Sequence, residues 1–264
     1  MTRSVRRWLA SVAGLVIALP ILAAAPAHAE PPNPDTLITT ENGPEALRSD
    51  VRKPGSYRVL VFTKTTGERR ASIPAAVAAI RLMGVANGFR VDETANAGAF
   101  TAANLGRYRA VVFLNTTGDV LNDAQQSAFE RYFTNGGGYL GVHAAAETEP
   151  DWDFYRDLVG SSVSGKLPVE DATIDVADRA HPSTERIARK LTLSEEWYNF
   201  ATNVRGTAHV LATLDESTVT GGTMGHDHPV SWCRDYQGGR TFYTGLGHST
   251  RSYLDSSFRR HLLG

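Results

Sequence analysis

Short apolar runs alternate with amphipathic segments through the first half of the chain. Four apolar runs predict β-strands, at residues 57–63, 89–95, 109–116 and 138–144. Two amphipathic segments between them predict helices, at residues 72–89 and 122–138. This alternation is typical of right-handed βαβ units, so the first half predicts an α/β fold with a parallel sheet.

Local signals mark the ends of both predicted helices. Ser72 is a candidate N-cap, Pro74 falls in the first turn, and Gly88 follows the last apolar residue. Asn122, with Gln125 three residues later, has the spacing of a capping box. The glycines at positions 136–138 stop the second helix, so each helix has a predicted start and a predicted stop.

The second half has more strands and fewer helices. Apolar runs at residues 169–178, 208–216, 229–236 and 240–247 predict strands that follow one another closely. We therefore expect a mixed sheet whose late strands are partly antiparallel, within a single domain at residues 57–264. Ligands of open α/β sheets bind beyond the carboxyl ends of strands. The segments 113–119, 141–148 and 243–250 should meet at that edge.

The first 29 residues have the order of a secretory signal peptide. Arg3, Arg6 and Arg7 precede an apolar core, and the small residues AHA stand at positions 27–29. We expect cleavage before Glu30, a secreted protein and no stable membrane anchor, the alternative being a retained anchor. Residues 30–56 are rich in Pro, Gly and polar groups, which predicts a flexible leader.

Charge and cysteine content narrow the function classes. The chain has 27 Lys and Arg against 28 Asp and Glu, so no basic balance favours nucleic acid as a partner. A single cysteine, Cys233, excludes an internal disulfide. Cys233 falls within a predicted strand and is expected to be a small buried apolar residue rather than a nucleophile.

His143 stands at the end of the fourth predicted strand. Gly141, Ala144 and Ala145 surround it with the small residues that a strained nucleophile elbow requires. A histidine here could project into a pocket, or it could be a buried residue that hydrogen-bonds the backbone. His248 ends the last predicted strand in a similar way.

The segment EEWYNF, residues 195–200, places two carboxylates beside two aromatic residues. One interpretation is a carboxylate, Glu195 or Glu196, in a sugar-binding pocket walled by Trp197 and Tyr198. The other is a charge pair at a helix end next to core aromatics.

The segment 224–233 clusters His226, Asp227 and His228 before a strand. Two histidines in this spacing can bind a metal if both rings turn inward. A polar turn is the alternative, and it is favoured for His226.

Taken together, these motifs resemble the trehalose-utilisation ThuA-like family. The matching segments run in order through GGGYLGVHAAAET, WDFYRDLVG, DRAHPST, EEWYNF, HVLATLDEST, GHDHPVSWC and GGRTFYTGLGHS. The resemblance implies a flavodoxin-like, class I glutamine amidotransferase-like three-layer sandwich with a mostly parallel central sheet. It also implies a setting in sugar catabolism that includes keto-sugars. His143 stands where that superfamily has a cysteine, so glutamine hydrolysis is not expected.

This sequence departs from the family pattern in two places. Many relatives have an F-x-x-H-P element where residues 161–169 read SSVSGKLPV, without a histidine. Where relatives often have Asp-Glu before Trp-Tyr, this chain has Glu195-Glu196.

Three functions remain open from the sequence. The first is an enzyme acting on a sugar or keto-sugar, by acid–base chemistry or with a divalent metal as cofactor. Its expected catalytic residues are His143, Glu196 and His248, and its expected substrate-binding residues are Trp152, Glu195, Trp197, Tyr198, Asp227 and His228. The second is a non-catalytic carbohydrate-binding module using Trp152, Trp197 and Tyr198, and the third is a scaffold.

Overall fold

The computed structural model describes residues 57–264, and the predicted signal peptide and leader lie outside these residues. The strands are β1 Tyr57–Phe62, β2 Phe89–Thr94, β3 Ala110–Leu114, β4 Gly138–Val142, β5 Val163–Val176, β6 Lys190–Phe200, β7 His209–Leu214, β8 His228–Tyr236 and β9 Gly239–Thr244. The helices are α1 Ile73–Asn87, α2 Ala102–Leu105, α3 Asp123–Thr134, α4 Asp153–Val159, α5 Thr250–Leu254 and α6 Ser256–Leu263. Within this part of the chain, no helix is both long and apolar enough to cross a membrane.

The strands form one mixed sheet in the order β2-β1-β3-β4-β9-β8-β7-β5-β6. Strands β2, β1, β3, β4 and β9 pair in parallel. From β9 onward, each pairing through β8, β7, β5 and β6 is antiparallel. The predicted α/β fold with a parallel core and antiparallel late strands is therefore confirmed, and the antiparallel part extends the sheet on one side.

The predicted helix ends are largely observed. Asn122 and Gln125 form the reciprocal capping box at α3. Gly88 ends α1 in the left-handed region at φ 73°, where glycine carries no steric penalty. Ser72 differs from the prediction, because it precedes α1 without capping it through its side chain. Its hydroxyl oxygen instead lies 3.3 Å from the Asn115 side-chain amide, at the end of β3.

The core lies on both faces of the sheet. The side chains of strand β3 contribute to both faces. Phe113 joins an aromatic cluster with α3 and α4, while Val112 and Leu114 pack on the α1 side. The rings of the aromatic cluster pack edge to face. The centroid of the Phe113 ring lies 5.2 Å from that of Phe129 and 5.5 Å from that of Phe62. A strand buried on both faces explains why its sequence is continuously apolar.

A long antiparallel pair, β5 with β6, forms an arm at one side of the sheet. Strand β5 pairs with β7 only at Ile174–Val176, whereas it pairs with β6 along most of its length. The segment EEWYNF lies in β6, so the interpretation of its carboxylates as a helix-end charge pair is wrong. The arm carries residues 195–200 to the carboxyl ends of β4 and β9.

Candidate functional site

His143 is the first residue after β4, and its backbone is strained. Its φ is 48°, a left-handed conformation that few residues other than glycine adopt. Gly141 is required nearby, since a Cβ there would lie 2.4 Å from the Tyr139 hydroxyl oxygen. The small residues around His143 thus serve the geometry expected of an elbow, which turns the side chain out of the strand.

The His143 ring has a fixed orientation. Its Nδ1 lies 2.8 Å from the carbonyl oxygen of Gly245 and donates to it. The ring stacks on Tyr198, with centroids 4.6 Å apart and planes inclined by 15°. Because Nδ1 is engaged by this carbonyl, Nε2 is the ring nitrogen that faces the other polar groups of the site.

Two potential ligand atoms lie close to Nε2 of His143, which makes a cluster of three. His248 Nδ1 lies 3.2 Å from it and Glu196 Oε2 lies 3.3 Å from it. His248 Nδ1 and Glu196 Oε2 are 3.7 Å apart. His143 is fully buried, whereas the side chains of Glu196 and His248 are 14% and 22% exposed to solvent. The cluster therefore has a buried side and a side open to solvent.

Arg70 is a buried cation that holds Glu196 ionised. Its Nη2 donates to Glu196 Oε2 at 2.8 Å, and Nη1 lies 2.7 Å from Glu68. Burial alone would raise the pKa of Glu196, but the hydrogen bond with His143 and the charge of Arg70 lower it to about 2. Glu196 is therefore a carboxylate at neutral pH.

The electrostatics also keep His248 neutral near pH 7. Burial lowers the pKa of His248, and the neighbouring His143 lowers it further, while Glu196 acts in the opposite direction. A neutral imidazole can accept a proton or bind a metal through its lone pair.

A second chain of contacts extends from His143 through Tyr198. The Tyr198 hydroxyl lies 3.1 Å from His143 Nε2 and donates to Glu147 in a short hydrogen bond. Glu147 is also paired with Lys166 at 2.6 Å and with Arg70 at 3.4 Å. Burial, reinforced by the charge of Glu147, raises the pKa of Tyr198 far above its ordinary value, so its phenol stays protonated.

Glu195 and Trp197, which were expected to bind substrate, face away from this cluster. Glu195 is 1% exposed and accepts from the backbone N–H groups of Gly247 and His248, at 3.2 and 2.8 Å. Trp197 is also 1% exposed and donates through Nε1 to the Glu170 carbonyl. Alternation along β6 sends these two side chains to the opposite face from Glu196 and Tyr198.

The remaining predicted binding residues have structural partners elsewhere. Trp152 packs against Phe129, Phe154 and Tyr155 in the aromatic cluster. Asp227 forms a two-point ion pair with Arg205. Their observed contacts therefore belong to the packing and the surface of the fold.

His228 is buried rather than paired with His226, which is exposed. Its Nδ1 lies 2.7 Å from Glu216 and its Nε2 lies 2.8 Å from the Tyr198 carbonyl. The two rings of the H-x-H spacing therefore do not share a ligand, and His228 instead supports β6 from behind. Cys233 is only half-buried, because it lines an open groove. Its Sγ lies 3.7 Å from His181 Nε2.

The sequence analysis missed three members of the site: Arg70, Glu147 and Lys166. Arg70 lies in the loop after β1, a strand end that also opens at the carboxyl edge of the parallel sheet. That position was the available signal for Arg70, and Glu147 similarly lies four residues beyond His143. Lys166 had no local signal, because its place depends on the pairing of β5 with β6.

The donor set fits a divalent metal ion. Ligands about 2.1 Å from a metal lie about 3.0 to 3.4 Å from one another in octahedral or tetrahedral geometry. His143 Nε2 lies within this range of both His248 Nδ1 and Glu196 Oε2, at 3.2 and 3.3 Å. His248 Nδ1 and Glu196 Oε2 are 3.7 Å apart, slightly beyond the range. Two histidines and one carboxylate with open positions also form a known iron-binding pattern. Arg70 touches the same carboxylate oxygen, and Glu68 and Glu147 offset its charge.

Comparison with known proteins identifies the family. The family model described as "ThuA: Trehalose utilisation" matches residues 58–264. A ThuA-like protein from Bacteroides uniformis ATCC 8492 is similar in structure, with a TM-score of 0.68, 21% identity, and coverage of 81% of this chain and 91% of that one. A ThuA-like protein from Parabacteroides merdae ATCC 43184 follows, with a TM-score of 0.64, 20% identity, and coverage of 80% and 88%.

The fold also occurs within a larger enzyme. A β-galactosidase from Bacillus circulans sp. alkalophilus matches with a TM-score of 0.53 and 13% identity, over 78% of this chain and 30% of that one. No curated protein sequence matches this chain. The structural neighbours share the class I glutamine amidotransferase-like fold. Because the family model spans the whole α/β fold from β1 onward, the chain belongs to the ThuA (trehalose utilisation) family.

Proposed function

We propose that this protein is an enzyme that acts on a carbohydrate or keto-sugar. His143, Glu196 and His248 would be its catalytic residues and the ligands of a divalent metal ion. The observation that carries the proposal is the convergence of their three donor atoms, which lie 3.2 to 3.7 Å from one another. Family membership supports sugar utilisation as the setting.

The residues of the cluster would have different roles in the reaction. A divalent ion bound there would polarise a carbonyl or hydroxyl oxygen of the sugar. In the acid–base alternative without a metal, His248, which is neutral and partly exposed, would move a proton between the substrate and solvent. Tyr198 keeps its proton and directs it to Glu147, while Arg70 keeps Glu196 charged. These buried partners fix the position of each reacting group.

The burial of the aromatic residues favours an enzyme over a carbohydrate-binding module. A binding module needs exposed aromatic faces on which a sugar ring can stack. Trp197 and Tyr198 are 1% and 2% exposed, and Trp152 is packed against the aromatic cluster. A scaffold would leave His143 satisfied by the backbone alone, but its Nε2 faces Glu196 and His248.

The test combines metal analysis with turnover. Protein purified without chelator should hold about one divalent ion per chain by elemental mass spectrometry. His143→Ala and Glu196→Gln should lose that ion and the turnover of a keto-sugar panel. His209→Ala is the matched control, because His209 also pairs with a carboxylate, Asp178, but on the surface. It should keep both properties.

The outcomes separate the parts of the proposal. A metal-free wild-type protein whose turnover is lost in His143→Ala would overturn the metal and keep the acid–base role. Turnover that is equal in wild type and His143→Ala would overturn the catalytic assignment itself.

We also propose that the protein acts outside the cytoplasm after removal of residues 1–29. The basic, apolar and small-residue order of that segment supports export. A small carbohydrate would then be met outside the cell.

A further inference from the structure

A cleft of about 460 Å³ lies next to the candidate site. Glu147 belongs to both, since it lines the cleft and accepts the hydrogen bond of Tyr198. The other polar groups on the cleft wall include Ser162, Ser164 and Lys166. The volume lies in the range of pockets that hold small ligands. A substrate reacting at His248 could therefore place its other end in this cleft.

The backbone of β5 aims Lys166 at this position. Lys166 pairs across the strands with Tyr198, so both side chains are neighbours on one face of the arm. Register shifts occur on both sides of it, between Val163 and Gly165 and between Lys166 and Val169. Such bulges commonly re-aim a side chain beside an active site. Here they accompany a lysine that is 39% exposed and 2.6 Å from Glu147.

The charges of the cleft are already paired within the protein. Lys166 is paired with Glu147, and Arg156 is paired with Asp153. Glu149, which also lines the cleft, accepts from the backbone of Val120 and Leu121. A phosphate or carboxylate on the substrate would meet two carboxylates here. The two cations among these lining residues, Lys166 and Arg156, each already have a carboxylate partner. The wall is therefore suited to a neutral ligand.

We infer that the cleft is the binding subsite for the non-reacting part of a neutral, unphosphorylated sugar. The Lys166–Glu147 pair supplies one donor and one acceptor, which match two neighbouring hydroxyl groups. Hydrogen bonds to charged groups are stronger than those between neutral groups, so this pair contributes specificity as well as affinity. The inference rests on the proposed function, because it names the substrate class of the same site.

The experiment measures sugar binding apart from turnover. Isothermal titration would compare trehalose with trehalose 6-phosphate on the protein as purified without chelator. Trehalose should bind and its phosphate should bind at least about tenfold more weakly. Lys166→Met should weaken trehalose binding by about tenfold or more without changing the metal content. Lys190→Met is the matched control, because Lys190 pairs with Asp175 in the same arm but away from the cleft.

Three results would overturn the inference. They are equal trehalose binding by Lys166→Met and wild type, tighter binding of the phosphorylated sugar, and binding of neither sugar. Failure of the catalytic proposal would look different. In that case His143→Ala would retain turnover, or wild type would bind trehalose and lose affinity in Lys166→Met without turning over any sugar.

Discussion

Acidification should destabilise this protein through His261, a buried residue of α6. His261 is 2% exposed, and its Nδ1 donates to the Ser183 carbonyl at 3.2 Å. Its Nε2 lies 3.0 Å from the Ser231 hydroxyl and 3.2 Å from that of Thr244. Burial lowers the pKa of His261 from 6.5 to about 4, because a charged imidazole would lose its hydration there.

The lowered pKa of His261 determines how the free energy of unfolding changes with pH. Between pH 6.5 and about 4, the unfolded chain takes up a proton at His261 and the folded protein does not. The free energy of unfolding therefore falls as the pH falls through this window. The shift corresponds to a loss of about 3 kcal/mol, which is complete below about pH 4. For a domain of this size, that loss lowers the Tm by about 6 to 12 °C.

Urea unfolding followed by tryptophan fluorescence measures this dependence. Wild type and His261→Gln would be compared at about pH 7 and about pH 4. Glutamine keeps hydrogen-bonding capacity but does not titrate, so the acid-induced loss of the variant should be smaller by about 3 kcal/mol, even if it is less stable at neutral pH. The comparison removes the contributions of other titrating groups, which are common to both proteins. An equal loss of stability in the two proteins would refute the reasoning.

Three further predictions concern the buried cation, the core and the N-terminus. Arg70→Met should cost about 3 kcal/mol in urea unfolding, because it leaves the largely buried carboxylate of Glu196 without its cation. Arg81→Met, which removes an exposed pair, should cost less than about 1 kcal/mol, and equal losses would contradict the role of Arg70. Val112→Asp should prevent folding, since it places an unpaired charge in a central strand, and a soluble variant with unchanged melting would show otherwise. N-terminal sequencing of exported protein should begin at or near Glu30, and an intact Met1 would contradict cleavage.

The parts of the fold that depend on local pattern were predictable. The apolar run around Val112 and Phe113 identified a strand buried on both faces, and the Asn122 capping box identified the start of α3. The proximity of His143 and His248 followed from topology, because β4 and β9 are parallel neighbours and both residues follow their carboxyl ends.

The remaining site residues depend on contacts between distant parts of the chain. The sequence could not decide which of the adjacent carboxylates, Glu195 or Glu196, faces the histidines, because that choice depends on how β6 meets the sheet. Arg70 and Glu147 come together through the loops after β1 and β4. Lys166 reaches Glu147 only because β5 carries two register shifts, and short-range patterns do not encode these.

The alternation along β6 has a consequence for how this chain tolerates insertions. Glu195 and Trp197 serve one face of the arm, and Glu196 and Tyr198 serve the other. One residue inserted just before Glu195 would exchange the two faces, turning Glu196 toward a hydrophobic layer and Glu195 toward His143. Two inserted residues would restore the faces but would move Glu196 two positions along β6, to the place of Tyr198. The chemistry of the site therefore depends on the number of residues between the β5–β6 connection and residue 195.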